Sequence, residues 1–294
     1  MAKGRELKGR IKTVENTRKI TRTMEMVATS KMKRAADRVI AARPYAKALG
    51  EILSRLYSPE LAQRFPLLRQ PEQRAAGGSR VAVIVITTNR GLAGAFNANL
   101  IKEARGLISK LEREGATVDI HALGRKGIGY FRYVGRAMAS NRSDLGDRPT
   151  ALNAAEIVDG LMNDFAAGKL DAVYVVYAQF RSAISTPPAT ERVLPVAPPS
   201  SKGESAAQKD YLLYPSADEI LKALLPAYVR NAVYRALVET AAAEQAARRT
   251  AMKNATDNAS DMLNILRRTY NRARQANITQ EIAEIVGGAA ALQG

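Results

Sequence analysis

Two glycine-bearing turns stand where a phosphate group could be held. Asn89-Arg90-Gly91-Leu92-Ala93-Gly94 follows the apolar run Val81 to Ile86 and precedes a helical stretch, and Arg90 adds a positive charge. The turn is not a dinucleotide fingerprint, because three glycines at the required spacing are absent, nor a P-loop, because no Lys followed by Ser or Thr comes after a second glycine. It reads as a tight strand-to-helix connection. Gly124-Arg125-Lys126-Gly127 fails the same tests. His121, the only histidine, has no second imidazole with which to share a metal or build a triad and reads as sheet packing. No G-x-S-x-G elbow is present, and Asp218 with Glu219 sit at a helix start, where capping explains them. Zero cysteines exclude disulfides, thiolate metal sites and thiol control. An independent enzyme is therefore unsupported, and neither a metal site nor a cofactor is expected.

What must position the remaining residues is helix. After Ser216-Ala217-Asp218-Glu219, whose hydroxyl and carboxylate suit a reciprocal capping box, roughly seventy residues follow without a glycine. Apolar and small side chains recur by threes and fours, from Leu221, Leu225 and Tyr228 through Ala255, Ala259, Met262 and Leu266. At 1.5 Å per residue such a helix would be about 110 Å long and would project from any domain it belongs to. A partner is therefore required. The first segment offers one: from Leu7 onward, and clearly at Met32, Ala35, Val39, Ala42, Ala46, Leu49, Leu53 and Leu56, steps of four and three alternate, with Pro44 expected to kink the helix.

Between these helices, 58–79 carries Pro59, Pro66, Pro71, Gly77 and Gly78 and reads as a linker. Val81 to Ile86 is a buried strand, about Asn97 to Glu114 a helix and Thr117 to Leu123 a second strand, which makes a right-handed βαβ unit. Thr150 is an N-cap for a helix ending before Gly168; Asp171 to Phe180 is a further buried strand and Glu191 to Val196 an edge strand. The expected architecture is a Rossmann-like α/β domain (80–210) between an N-terminal helix (1–57) and a C-terminal helix (211–294) that pair as a long antiparallel coiled coil.

Charge narrows the partners. The chain has 294 residues, 45 Lys+Arg against 28 Asp+Glu, a net charge of +17 and only 5% aromatic residues. Met1 to Arg43 alone holds thirteen basic and four acidic residues, an excess of nine. An anionic partner is expected, whether nucleic acid, headgroups or an acidic protein face.

The terminal motifs identify one family. Leu7-Lys8-Gly9-Arg10-Ile11, the run Thr17 to Ala28 (TRKITRTMEMVA), Ser30-Lys31-Met32, Glu244-Gln245-Ala246-Ala247-Arg248, Ala255-Thr256-Asp257-Asn258-Ala259, Tyr270 to Gln275 and Ile278 to Ile282 closely resemble the γ subunit of F-type ATP synthases. So does the tail Glu284 to Leu292, and Asn89 to Gly94 is similar to the family's Asp-Arg-Gly-Leu-Cys-Gly turn with the acid and the cysteine replaced.

The resemblance implies a non-catalytic central rotor stalk. Its coiled coil would insert into the ring of α and β subunits and its α/β body would sit on the c-ring, with the ε subunit and, where one is present, an inhibitory subunit as further partners. Lys31, Lys33 and Arg34 match the basic segment that faces acidic loops of the β subunits. Met24, Arg274, Gln275 and Thr279 match contacts with the upper ring. Ile282, Ile285, Val286 and Leu292 match the apolar tip held in its collar. Tyr211 and Tyr214 match the base near the c-ring, with Tyr214 where the family usually carries Glu. Nucleotides would bind the partners, membrane contact would come only through the complex, and a bacterial form would lie peripherally on the cytoplasmic face of the inner membrane. Small side chains along Thr240 to Ala259 suit a shaft that must pass equivalent positions without a deep minimum at any.

Two other readings use the same residues. A nucleic-acid-binding coiled coil would use the basic face, but aromatic side chains do not interleave with the arginines and the apolar tail has no role in it. A nucleotide-dependent enzyme would use the Arg90 turn, and saturable micromolar binding of ATP or NAD would support it.

Overall fold

The computed structural model of the chain describes residues 2–57, 64–69, 78–197 and 216–291. Tyr211, Tyr214 and Leu292 lie outside the described residues. Two compact units are present, Thr29–Ala247 and a smaller one made of Met1–Ala28 with Arg248–Gly294. The elements in chain order are α1 (Ala2–Leu56), β1 (Arg80–Ile86), α2 (Phe96–Arg113), β2 (Thr117–Leu123), α3 (Arg125–Tyr133), β3 (Ser140–Arg142), α4 (Ala151–Ala166), β4 (Ala172–Ala178), β5 (Pro188–Leu194) and α5 (Ala217–Ala291).

In the larger unit the strands form one sheet in the order β3-β2-β1-β4-β5. All neighbours are parallel except β5, which runs antiparallel to β4 at the edge. The pleat of β1 divides its side chains between two cores. Ala82, Ile84 and Ile86 face α4 (Val158, Phe165) and α5 (Leu225, Val233), whereas Val81, Val83 and Val85 face α2 (Ala104, Ile108) and α3 (Ile128, Phe131). Because β1 is covered on both sides, its sequence is a continuous apolar run rather than an alternating one. Thr150 caps α4 as expected: its hydroxyl accepts from the Asn153 backbone N–H at 3.3 Å, and the Asn153 side chain accepts from the Thr150 N–H at 3.0 Å. Only one half of the Ser216 box forms, the Glu219 N–H donating to Ser216 Oγ at 3.3 Å, while Asp218 is ion-paired to Arg64 at 2.6 Å.

Two features differ from the sequence expectation. Within the stretch read as linker, Phe65 and Leu68 belong to the main core, around a single 3-10 turn at Pro66–Leu68. Burial of two large side chains there outweighs the loop signal of the prolines. As expected of a single N-terminal helix, α1 runs on through Pro44. Val39 before it and Leu49 and Leu53 after it are all buried, so packing on both sides holds the helix across a residue that costs roughly 3 kcal/mol in a helix interior. The second difference is that α3 and β3 had no counterpart in the sequence reading.

α1 and α5 also pack on each other within the larger unit, where Ala35, Val39, Val238 and Ala242 form one apolar cluster. Here α5 is enclosed on nearly all sides, and Ala242, Ala243 and Ala246 are almost completely buried. Small side chains in this stretch therefore serve close approach within the chain itself.

In the smaller unit the first part of α1 runs antiparallel to the last part of α5. Thr256 Oγ1 lies 2.8 Å from Thr21 Oγ1, and Arg267 lies 3.7 Å from Glu15, so a step back along α1 meets a step forward along α5. Ala28, Met252, Ala259 and Leu263 close the seam. The chain thus combines a Rossmann-like α/β sheet with an antiparallel pairing of its terminal helices.

Candidate functional site

The basic segment of α1 is built by helical spacing. Ala35 and Val39 take the face toward α5, which leaves Lys31 and Arg38, seven residues apart, on a neighbouring face, and Lys33 and Arg34 outward. Lys31 is not free in this arrangement: its Nζ is 2.6 Å from Asp147 Oδ2, and Arg38 Nη1 donates to the Asp147 carbonyl at 3.3 Å. Both ends of Asp147 are thereby held by α1. Lys33 and Arg34 remain exposed, with Arg34 reaching back to Ser30, donating to its Oγ at 3.2 Å and its carbonyl at 3.5 Å. The three residues that resembled one contact surface are thus divided, two projecting and one tied to its own chain.

In the smaller unit, Arg274, Gln275 and Thr279 are exposed on α5 and Met24 is half-buried on α1. The Thr279 hydroxyl donates to the Gln275 carbonyl of its own helix at 3.0 Å, so its hydrogen is already used. Ile282, Ile285 and Val286 are exposed by 56%, 71% and 62%, and Ile20, Met26, Met262 and Ile265 are also more than half exposed. Apolar side chains are thus left in water on both helices of this unit.

A half-buried polar network ties α5 to the sheet. Arg235 Nη2 on α5 lies 2.5 Å from both carboxylate oxygens of Glu191 on β5, and the Tyr177 hydroxyl on β4 donates to Glu191 at 3.2 Å. Burial alone would lower the Arg235 pKa, but attraction from Glu191, Tyr177 and Glu239 more than reverses it. Burial, then the charge of Glu191, pushes the Tyr177 hydroxyl well above its usual range. Glu239 accepts from the Phe180 N–H at 3.1 Å; burial raises its pKa against the opposing pull of that bond and of Arg235. The next residue of α5 does the same: Thr240 Oγ1 accepts from the Ala178 N–H at 3.2 Å. None of these partners was legible in the sequence, where Glu191 stood only as the start of an edge strand.

The Asn89 to Gly94 turn is a structural junction. The Asn89 amide donates to the Ser143 carbonyl at 3.0 Å and the Leu145 carbonyl at 2.7 Å, and its oxygen accepts from the Arg125 N–H at 3.0 Å. Gly124, with φ +91°, passes so close to β1 that a Cβ there would lie 2.1 Å from the Thr87 carbonyl oxygen. His121 in β2 sits 2.7 Å from Ser140 Oγ on β3, a cross-strand contact at the sheet edge; burial lowers its pKa, with Asp119 opposing.

Residues 3–292 match the family model described as ATP synthase. The chain is 69% identical to an ATP synthase gamma chain of Gemmatimonas aurantiaca over the full length of both, and 40% identical to that of Stenotrophomonas maltophilia over 99% of this chain and all of the relative. In fold it is similar to a chain of the Euglena gracilis mitochondrial ATP synthase in an OSCP/F1/c-ring assembly (TM-score 0.67, 20% identity, covering 99% of this chain and 95% of that one). It is also similar to a chain in the central stalk/c-ring structure of the Tetrahymena thermophila enzyme (TM-score 0.58, 24% identity, covering 80% and 99%). With a match of this length and identity, the chain belongs to the ATP synthase gamma-chain family.

Proposed function

We propose that the chain is the central rotor stalk of an F-type ATP synthase, coupling ion flow through a membrane c-ring to conformational change in catalytic sites held by α and β subunits. The observation that carries this reading is the 69% identity to an ATP synthase gamma chain from end to end. The physical chemistry of the chain agrees with it. A rotor needs a helix pair with an exposed surface and contacts individually weak enough to exchange, and screened ion pairs of about 1 kcal/mol or less meet that need. The chain is a non-catalytic subunit; its part is to bias which catalytic site opens and closes, and so to regulate ATPase activity and proton flow.

Lys33 and Arg34 face the acidic loops of the β subunits, and Lys31 joins them when it leaves Asp147. Met24, Arg274, Gln275 and Thr279 meet the upper ring, with Thr279 acting as an acceptor because its proton is bonded within the helix. Ile282, Ile285, Val286 and Leu292 sit in the collar. Tyr211 and Tyr214 lie near the c-ring, and the ε subunit and any inhibitory subunit bind the body. Among the described residues no helix is long and apolar enough to cross a membrane. The stalk is held at the cytoplasmic face of a bacterial inner membrane through the complex alone.

Purification of the tagged chain from its own cell tests the assignment. It should bring down α, β, ε and c subunits together. Recovery of the chain with none of them would refute it. Arg274→Ala combined with Gln275→Ala should impair ATP-driven proton pumping while leaving the helical circular dichroism unchanged, and normal coupling in that variant would remove these two residues from the contact.

A further inference from the structure

Above the carboxyl ends of β1 and β2 lies an open cavity of about 610 Å³, formed wholly within the larger unit. Its position is chemically suggestive. The end of β1, the turn after β2 and the loop after β3 all contribute to its lining, so it lies along the carboxyl edge of the parallel strands, closed on one side by α5. In parallel α/β sheets ligands bind outside the carboxyl ends of the strands. Its volume lies within the range of small-molecule sites.

Its lining is cationic. Arg90 comes from the turn after β1, Arg125 from the turn after β2 and Arg148 from the loop after β3, so each successive parallel strand delivers one guanidinium to the same rim. All three are exposed, and among the described residues none of the three side chains has a carboxylate partner. The lining contains two carboxylates. Asp147 is neutralised by Lys31 at 2.6 Å, and Glu244 stands on the α5 wall. Leu145, Pro149 and Leu237 give that cavity an apolar side.

The three cationic loops are also fixed to one another. Asn89, adjacent to Arg90, donates to two carbonyls of the loop that carries Arg148 and accepts the N–H of Arg125 itself. Thr87 Oγ1 donates to the Leu123 carbonyl at 2.7 Å and accepts from the Gly127 N–H at 2.8 Å, which clamps the turn after β2 against the end of β1. Guanidinium groups borne on loops locked in this way lose less freedom on meeting an anion than groups on separate mobile loops would.

We propose that this cavity is a binding site for a small phosphate-bearing polyanion, held by Arg90, Arg125 and Arg148 with its organic portion against Leu145, Pro149 and Leu237. The site is a binding site only. No nucleophile or general base lies among the groups the inference uses, and no reaction is assigned to it. It is independent of the rotor reading, since it rests on the larger unit alone.

The experiment is isothermal titration calorimetry of the full-length chain with pyrophosphate and, separately, with ADP. Salt at about 150 mM confines the chain's general field to about 8 Å, so that site contacts dominate. Both ligands should bind saturably with a stoichiometry of one, and ADP should bind more tightly because it also covers the apolar side. Arg90→Gln with Arg148→Gln should weaken both at least tenfold. Lys102→Gln with Arg105→Gln, which removes the same charge from exposed positions on α2, should leave both within twofold. Circular dichroism melts of the two variants should match the parent, because the rim arginines support no partner. Absence of saturable binding up to about 1 mM, or equal loss in the two charge-matched variants, would overturn the proposal.

Discussion

Replacing Glu191 with alanine removes the acceptor of both Arg235 and the Tyr177 hydroxyl in one step. Breaking one side of a buried ion pair costs about 3–5 kcal/mol, because the remaining charge is left without compensation. The side chains of Arg235 and Glu191 retain 34% and 32% of their exposure, so water recovers part of that loss and the expected cost is about 2–3 kcal/mol. The strain falls on a particular place, the seam between α5 and the edge of the sheet. Urea unfolding followed by circular dichroism gives the size of the effect, and amide exchange gives its location: protection should fall at β5 and the facing stretch of α5 while β1 and β2 keep theirs. The paired replacement Glu191→Leu with Arg235→Met should cost less than Glu191→Ala, since two apolar groups of similar length do not strand the Arg235 guanidinium. A loss below about 0.5 kcal/mol for Glu191→Ala, or a paired variant worse than the single one, would show that the network does not hold α5 to the sheet.

Other outcomes follow from the same geometry. Asp147→Asn should lower stability by less than about 1 kcal/mol, because Lys31 and Asp147 are both partly solvated and the Arg38 bond goes to the backbone carbonyl, which the substitution leaves in place; a thermal melt checks it. His121 has a folded pKa below its usual 6.5, so its contribution to stability is complete above pH 6.5 and is lost as pH falls from there toward the lowered value. Chemical denaturation at pH 7.5 and pH 5.5 should show a smaller pH dependence in His121→Gln than in the parent chain. Deletion of 285–294 should leave the α/β unit's melting unchanged and reduce recovery of α and β subunits with the chain, which quantitative mass spectrometry of the purified complex would measure.

The parts of the fold that were legible in the sequence are those where one physical signal dominates. Val81 to Ile86 is apolar at every position because both faces of β1 are covered, and Thr150 announces α4 because its hydroxyl and Asn153 complete a capping box. Where the stabilising contact is distant, the sequence is silent. α3 begins in Gly124-Arg125-Lys126-Gly127 and contains further glycine, a composition that opposes helix; it forms because Ile128 and Phe131 bury on the sheet and Gly127 leaves room for Thr87, whose Oγ1 would be 2.8 Å from a Cβ there. β3 is three polar residues with no periodicity to find. The pairing of Lys31 with Asp147 spans 116 positions, and the spacing of α1 carries no trace of it. The candidate contact residues were visible only through the likeness of the terminal motifs, because an exposed arginine on a helix looks the same whether it meets water or a neighbour.

The apolar side chains that α1 and α5 leave in water have a consequence for the cell that makes the chain. Ile20, Met26, Met262, Ile265 and Ile285 would cling to one another in any copies produced beyond the number of companions waiting to cover them. Synthesis must therefore keep step with that of the covering proteins, or the excess must be sheltered by chaperones or destroyed.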